Sequence, residues 1–254
     1  MRATPSTTPA VGATTTTPAA PISWEIGASP LPLRPDGFGQ VLPTPLALRD
    51  RRLPTRDLLP PPGDGRFSAT IGPVTAALRT RMGQTWSPAC PVPLRGLRYL
   101  TVAFRGFDGR AHRGELVVAA TSAPKVIGVF RTLYAAGFPI EEMRLPTTAD
   151  LRARPTGDGN NTAAYVCRAA RGQTRFSQHA YGTAIDVNPF QNPEAKRDLV
   201  LPELASSYVA RSWHRPGMLL PASVAVRAFA AIGWRWGGDW RSSKDWMHFS
   251  ASGT

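Results

Sequence analysis

Between Ser122 and Gly137 the apolar positions Val126, Val129, Phe130, Leu133 and Tyr134 recur at intervals of three and four, the period that gathers side chains on one face of an α-helix. Ser122 can cap the start of that helix, and Gly137 with Pro139 can end it. A second such stretch runs from Pro221 to Gly233 through Val224, Val226, Phe229, Ala230 and Ile232. Leu97 to Phe104 and Gly114 to Ala120 are instead short, apolar and β-rich, and Phe107-Asp108-Gly109-Arg110 between them reads as a turn. The pattern there predicts a hairpin or meander. Ile140 to Leu145 is expected to be a short strand, and an ordered loop around Asn160 and Asn161 to lead into another through Tyr165 to Arg168. With no internal repeat, this order of elements predicts an α+β fold: a small, mainly antiparallel sheet with flanking helices.

Upstream of Phe67 the periodicity is lost. Met1 to about Ala20 is Thr, Pro and Ala with almost no large apolar side chain, too little buried surface to offset chain entropy. Pro21 to about Gly65 stays Pro-rich, with scattered Leu, Trp24 and the run Leu59-Pro60-Pro61-Pro62, which favours extended backbone. That segment either wraps the domain or hangs free. The expected division is therefore a low-complexity tail and extended segment over 1–65 and a single folded domain over 66–254. The tail is equally compatible with a wall spacer and with a plain disordered leader.

Composition changes this picture in three places. The 26 Pro and 23 Gly among 254 residues exceed what one core needs, in keeping with the tail. The net charge of +13 comes almost entirely from Arg, but no run of five or six basic residues occurs, so a solvated basic surface is expected and nucleic-acid binding is not. Cys90 and Cys167 belong to no C-x-x-C pair; they suit one disulfide in an exported protein and two buried thiols in a cytosolic one. No apolar run approaches a membrane span, and Met1 to Ala20 lacks the apolar core of a signal peptide.

Chemistry concentrates in two places. In Ser177-Gln178-His179-Ala180-Tyr181-Gly182-Thr183-Ala184-Ile185-Asp186, Gly182 permits a turn that lets Asp186 swing back toward His179, and imidazole and carboxylate are both good zinc ligands. Near the end, Asp245-Trp246-Met247-His248-Phe249 offers His248 as a third ligand. Two His and one carboxylate leave a fourth position open, the arrangement of a catalytic zinc site. Asp245 is then the candidate general base. Residues three apart on one straight strand point to opposite faces, so Asp245 is expected on a turn before the strand of His248. His112, His214 and Asp239 have no motif spacing and are expected to play no part in the site. Trp234, Trp236, Trp240 and Trp246 are expected in the core or in a cleft wall.

Ser-x-His-x-x-Gly-x-Ala-x-Asp followed by Asp-x-x-His-Phe resembles the M15 metallopeptidases, the D-alanyl-D-alanine carboxypeptidase and L-alanyl-D-glutamate endopeptidase relatives. Asn160-Asn161-Thr162, Arg168, Asn188-Pro189 and Asn192-Pro193 add to the likeness, which runs from about Trp86 to Phe249. The resemblance implies zinc held by His179, Asp186 and His248 in a hedgehog/D,D-peptidase-like fold, with the metal at a sheet edge and Asp245 as acidic catalytic base. It further implies that Arg168 stabilises the developing oxyanion or grips a substrate carboxylate, and that Ser177 contacts substrate. A buried structural ion pair is the other reading of Arg168. Ser250 stands where an acidic residue often follows His-Phe in relatives, a difference expected to alter the surroundings of the ligands rather than the ligands themselves. The expected activity is zinc-dependent hydrolysis of peptidoglycan stem peptides, as carboxypeptidase or as endopeptidase, by an extracytoplasmic monomer. A cell-wall-binding module with a retained zinc site is the alternative.

Overall fold

The computed structural model describes residues 24–170 and 172–254; the Thr/Pro/Ala tail lies almost wholly outside them. The architecture is α+β, as the pattern predicts. In chain order come β1 (Ala69–Pro73), α1 (Ala76–Met82), β2 (Leu97–Arg105), β3 (Ala111–Ala119), α2 (Ala123–Ala135), α3 (Thr148–Arg152), β4 (Ala184–Asp186), β5 (Glu194–Lys196), β6 (Leu199–Leu201), α4 (Val224–Ala231), β7 (Arg235–Trp236), β8 (Lys244–Asp245) and β9 (His248–Ser250). Instead of one sheet the described residues form three, each of three antiparallel strands, in the orders β1-β2-β3, β4-β9-β7 and β6-β5-β8.

The hairpin β2–β3 pairs Leu100 with Leu116 and Phe104 with His112, so Leu100, Val102, Phe104, Leu116 and Val118 share one face. The three- and four-spaced Val126, Val129, Phe130 and Leu133 of α2 close over that face. Full burial of such side chains contributes roughly 1.5–3 kcal/mol each before entropy is counted. Ser122 occupies the N-cap position of α2, but its hydroxyl makes no cap bond, and Pro124 sets the first turn instead. The same core continues into the second sheet, where Phe229 of α4 stacks on Phe249 of β9 with ring centroids 3.9 Å apart.

The strands expected at Ile140 to Leu145 and Tyr165 to Arg168 do not form. Those segments make isolated contacts instead, a bridge from Glu142 to Asn161 and a bond from Tyr165 N–H to the Val117 carbonyl. Their backbone groups are satisfied one at a time rather than along a ladder.

Of the two courses open to the Pro-rich segment, the one observed is packing against the domain. Leu31, Leu48 and Leu53 are buried with Phe190, Leu204, Tyr208 and Met218. Arg51, fully buried, donates from Nε and Nη2 to the two carboxylate oxygens of Glu141 at 2.8 and 2.6 Å, and from Nη1 to the Asp158 carbonyl at 2.7 Å. Its guanidinium lies 4.4 Å from the ring centroid of Phe190. Cys90 and Cys167 form a disulfide that closes a sequence separation of 77.

Candidate metal centre

The ligand-bearing turn is built locally. Ser177 is extended and precedes a 3-10 turn over Gln178–Tyr181, its Oγ accepting from His179 N–H at 3.4 Å. Gly182 then adopts φ +67°, and a Cβ there would fall 2.5 Å from the Ala119 nitrogen, so only glycine lets the turn dock on the end of β3. The docking is sealed by Ala119 N–H donating to the Gly182 carbonyl at 2.8 Å. From there the chain enters β4, where Ile185 points into the core and Asp186 toward the cleft. Asp186 pairs in register with His248 across β4 and β9.

His179 Nε2 lies 3.2 Å from Asp186 Oδ2, and His248 Nδ1 lies 3.0 Å from Asp186 Oδ1. Ligand atoms of the three residues all fall within 4.8 Å of one another, an arrangement that can hold a metal ion. The outer nitrogens test the fit. His179 Nδ1 is 2.5 Å from the Ala164 carbonyl oxygen, and His248 Nε2 is 3.4 Å from the main-chain oxygen of Thr254. A main-chain oxygen only accepts, so a proton on each outer nitrogen would be held there, leaving the inner nitrogens to offer their lone pairs to a bound metal. Two imidazoles and a carboxylate converging on one point are a donor set suited to zinc, with room for a further ligand. Burial alone would raise the Asp186 pKa, but the flanking imidazoles outweigh it and hold the carboxyl far below the usual range. Asp186 is thus anionic and ready to bind a cation. Ser250 Oγ donates to the same Thr254 oxygen at 3.0 Å, beside the outer face of His248.

The three residues line a cleft of about 740 Å³ shared with Arg168, Ser177, Glu194, Lys196, Trp240 and Asp245. Asp245 is not on a turn: it ends β8, whose partner is β5, with Glu194 directly opposite. Trp246 and Met247 carry the chain from that sheet to β9 of the other. The change of sheet removes the one-strand geometry that would have turned Asp245 and His248 to opposite faces, and both line the cleft. Ser177 combines its cap bond with a place on the cleft wall. Arg168 follows the disulfide cysteine directly and donates to the Ala169 carbonyl at 3.3 Å.

His112 and His214 stand outside the cleft lining. His214 is exposed. His112 is buried between Asp57 Oδ1 at 2.9 Å and Asp108 Oδ1 at 3.1 Å, carboxylates that its sequence neighbourhood did not connect to it as a pair. Trp234, Trp236 and Trp246 belong to the core, whereas Trp240 lies on the cleft wall with its ring 5.5 Å from that of His248. Glu194 and the carbonyls of Ala164 and Thr254 escape sequence reasoning, because a strand register and a backbone acceptor leave no residue-type signal. Asn188 and Asn192, noted only as part of a resemblance, are buried ties: Asn192 Nδ2 donates to the carbonyls of Val187, Asn188 and Gly217, and Asn188 Nδ2 to those of Pro139 and Gly217. They fix the exit of β4.

Fold and donor set together make a candidate metal centre at the edge of a cleft. Residues 171–251 match the family model described as D-alanyl-D-alanine carboxypeptidase, which supports membership of the M15 peptidases. The match covers less than half of the chain but includes all three candidate ligands and Asp245. No curated protein and no solved structure matches the chain significantly.

Proposed function

We propose that this chain is a zinc-dependent peptidase hydrolysing peptidoglycan stem peptides. The observation that carries the reading is the inward convergence of His179 Nε2, His248 Nδ1 and the Asp186 carboxylate at a cleft that also exposes Asp245. Zinc bound by those three residues supplies Lewis acidity toward the scissile carbonyl and toward water. Asp245 takes the proton of the attacking water and returns it to the leaving amine. Arg168 holds the negative charge that develops on the substrate carbonyl oxygen, a task suited to its planar fork of donors. Ser177, on the same wall, contacts the bound peptide.

The disulfide supports an extracytoplasmic setting, since such bonds persist in oxidising compartments. Among the described residues no helix is long and apolar enough to cross a membrane. We assign the peptidase domain to 66–254, with residues 24–65 packed against it through Leu31, Leu48, Leu53 and Arg51, and the active form to a monomer.

The test is mass spectrometry of defined muropeptides incubated with zinc-loaded protein. Loss of one terminal alanine identifies a carboxypeptidase, and release of a larger stem fragment an endopeptidase. His179→Ala should lose both metal and cleavage. Asp245→Asn should keep its zinc while turnover falls by about 10²–10⁴. Full turnover in Asp245→Asn removes that residue from the mechanism, and a folded, zinc-replete wild type that cleaves none of the muropeptides overturns the peptidase reading.

A further inference from the structure

Among the described residues, Arg154, Arg168, Arg175 and Lys196 bring lysine or arginine side chains to the cleft lining. Arg168 is absorbed by the mechanism above, the Arg175 side chain is tied to Gln173, and Arg154 sits on an irregular segment. Lys196 differs because a strand fixes its distance from the reaction centre. Along β5, Glu194 and Lys196 line the cleft while Ala195 between them packs on the core, the alternation of a strand with one face turned to the site.

The register gives the direction. Glu194 stands opposite Asp245 and Ala195 opposite Lys244. Trp246 N–H donates to the Pro193 carbonyl at 3.3 Å, so the chain leading from Asp245 to His248 departs along the Pro193 side. Lys196 therefore lies on the far side of Asp245 from His248, two residues beyond Glu194, or roughly 7 Å along the strand. Ser242 and Ser243 line the cleft as well, on the β8 side of that end. Lys196 is exposed, and among the described residues no carboxylate lies within ion-pair distance of its ammonium.

We infer that Lys196 is a specificity-determining residue that recognises a free carboxylate on the substrate one to two residues from the scissile bond. The inference rests on the peptidase reading, which places the scissile bond at the His179, Asp186 and His248 end and leaves an extended peptide to run past Asp245 toward β5. About 7 Å is the span of two residues of extended chain, and an unpaired ammonium on a flexible stem is a point charge suited to a carboxylate. The enzyme selects a peptide in which this carboxylate is free over one in which it is amidated. A neutral amide cannot replace the charge-assisted bond, a difference of roughly tenfold in affinity.

The experiment compares matched synthetic stem peptides that differ only in carboxylate or carboxamide at the first and second residues from the scissile bond. Wild-type protein should show kcat/KM about tenfold higher for the acid at one of those positions, carried by KM. Lys196→Met should cleave acid and amide alike at the wild-type amide rate, and Lys196→Arg should restore the preference. Equal kcat/KM for the wild type, or an acid preference that survives Lys196→Met, overturns the inference. If the zinc-loaded wild type cleaves neither peptide, the peptidase reading fails. Calorimetric affinities for the same pair then decide the role of Lys196: an acid preference lost in Lys196→Met upholds it, and equal affinities overturn it.

Discussion

Replacing Arg51 with Met tests whether the extended segment is part of the domain's stability. The guanidinium is fully buried and the Glu141 side chain it grips is 3% exposed. The substitution removes two charge-assisted bonds to Glu141 and one to the Asp158 carbonyl. The methionine fills much of the volume but leaves the carboxylate, among the described residues, with one remaining donor, Asn160 Nδ2 at 2.8 Å. Breaking a buried pair by removing one partner costs about 3–5 kcal/mol, because the remaining charge stays desolvated. At about 2–4 °C per kcal/mol for a chain of this size, the midpoint of thermal unfolding should fall by roughly 10 °C, followed by tryptophan fluorescence. In Arg51→Met/Glu141→Leu no buried charge is stranded, and much of the loss should return. Recovery stays incomplete because Asn160 also holds Phe190 N–H through its Oδ1 at 2.8 Å and would lose its own acceptor. A loss below about 1 kcal/mol in the single variant, or a double variant no more stable than the single, would refute the reasoning.

Two further outcomes follow from described contacts. Reducing the Cys90–Cys167 disulfide, which closes a 77-residue separation, should lower unfolding free energy by about 4.5 kcal/mol in the chain-entropy account; urea titrations with and without reductant read this directly, and coincident curves would contradict it. Burial and the Glu115 carboxylate push the Tyr99 phenol up to about 12, so the folded state keeps its proton where the unfolded chain has lost it. That contribution is whole below about pH 10 and is lost as pH rises toward 12. Tyr165 and Tyr208 are raised too, chiefly by burial, so Tyr99→Phe should flatten part of the fall in stability, and an unchanged slope would exclude Tyr99 as a source.

What the sequence made legible was local. The three-and-four spacing of Val126 to Tyr134 is a property of one segment, and α2 forms where it says; the turn at Phe107 to Arg110 is likewise encoded by neighbours. The candidate ligands were legible because a His, a turn glycine and an Asp lie within eight residues of one another. Ile140 to Leu145 and Tyr165 to Arg168 have the composition of strands but no partner long enough to form a ladder with them. The placement of Asp245 was missed because nothing in Asp245-Trp246-Met247-His248 records that the chain leaves one sheet and joins another. Nor does any residue type announce that the carbonyls of Ala164 and Thr254 orient the histidines, or that a Pro-rich stretch carries a cation into the interior.

The pairing of Asp186 with His248 would make a metal held there a reporter of alignment between two strands of three residues each. Slipping β9 by one position would set Ile185 or Val187 against His248 and turn its imidazole to the face opposite the Asp186 carboxylate. A cation that needs all three donors binds one alignment and rejects its neighbours, stabilising the correct one in proportion to the logarithm of its concentration over the dissociation constant. Short strands that specify their own register weakly would in this way be proofread by the ion they serve, and zinc supplied during refolding should narrow the population to a single form.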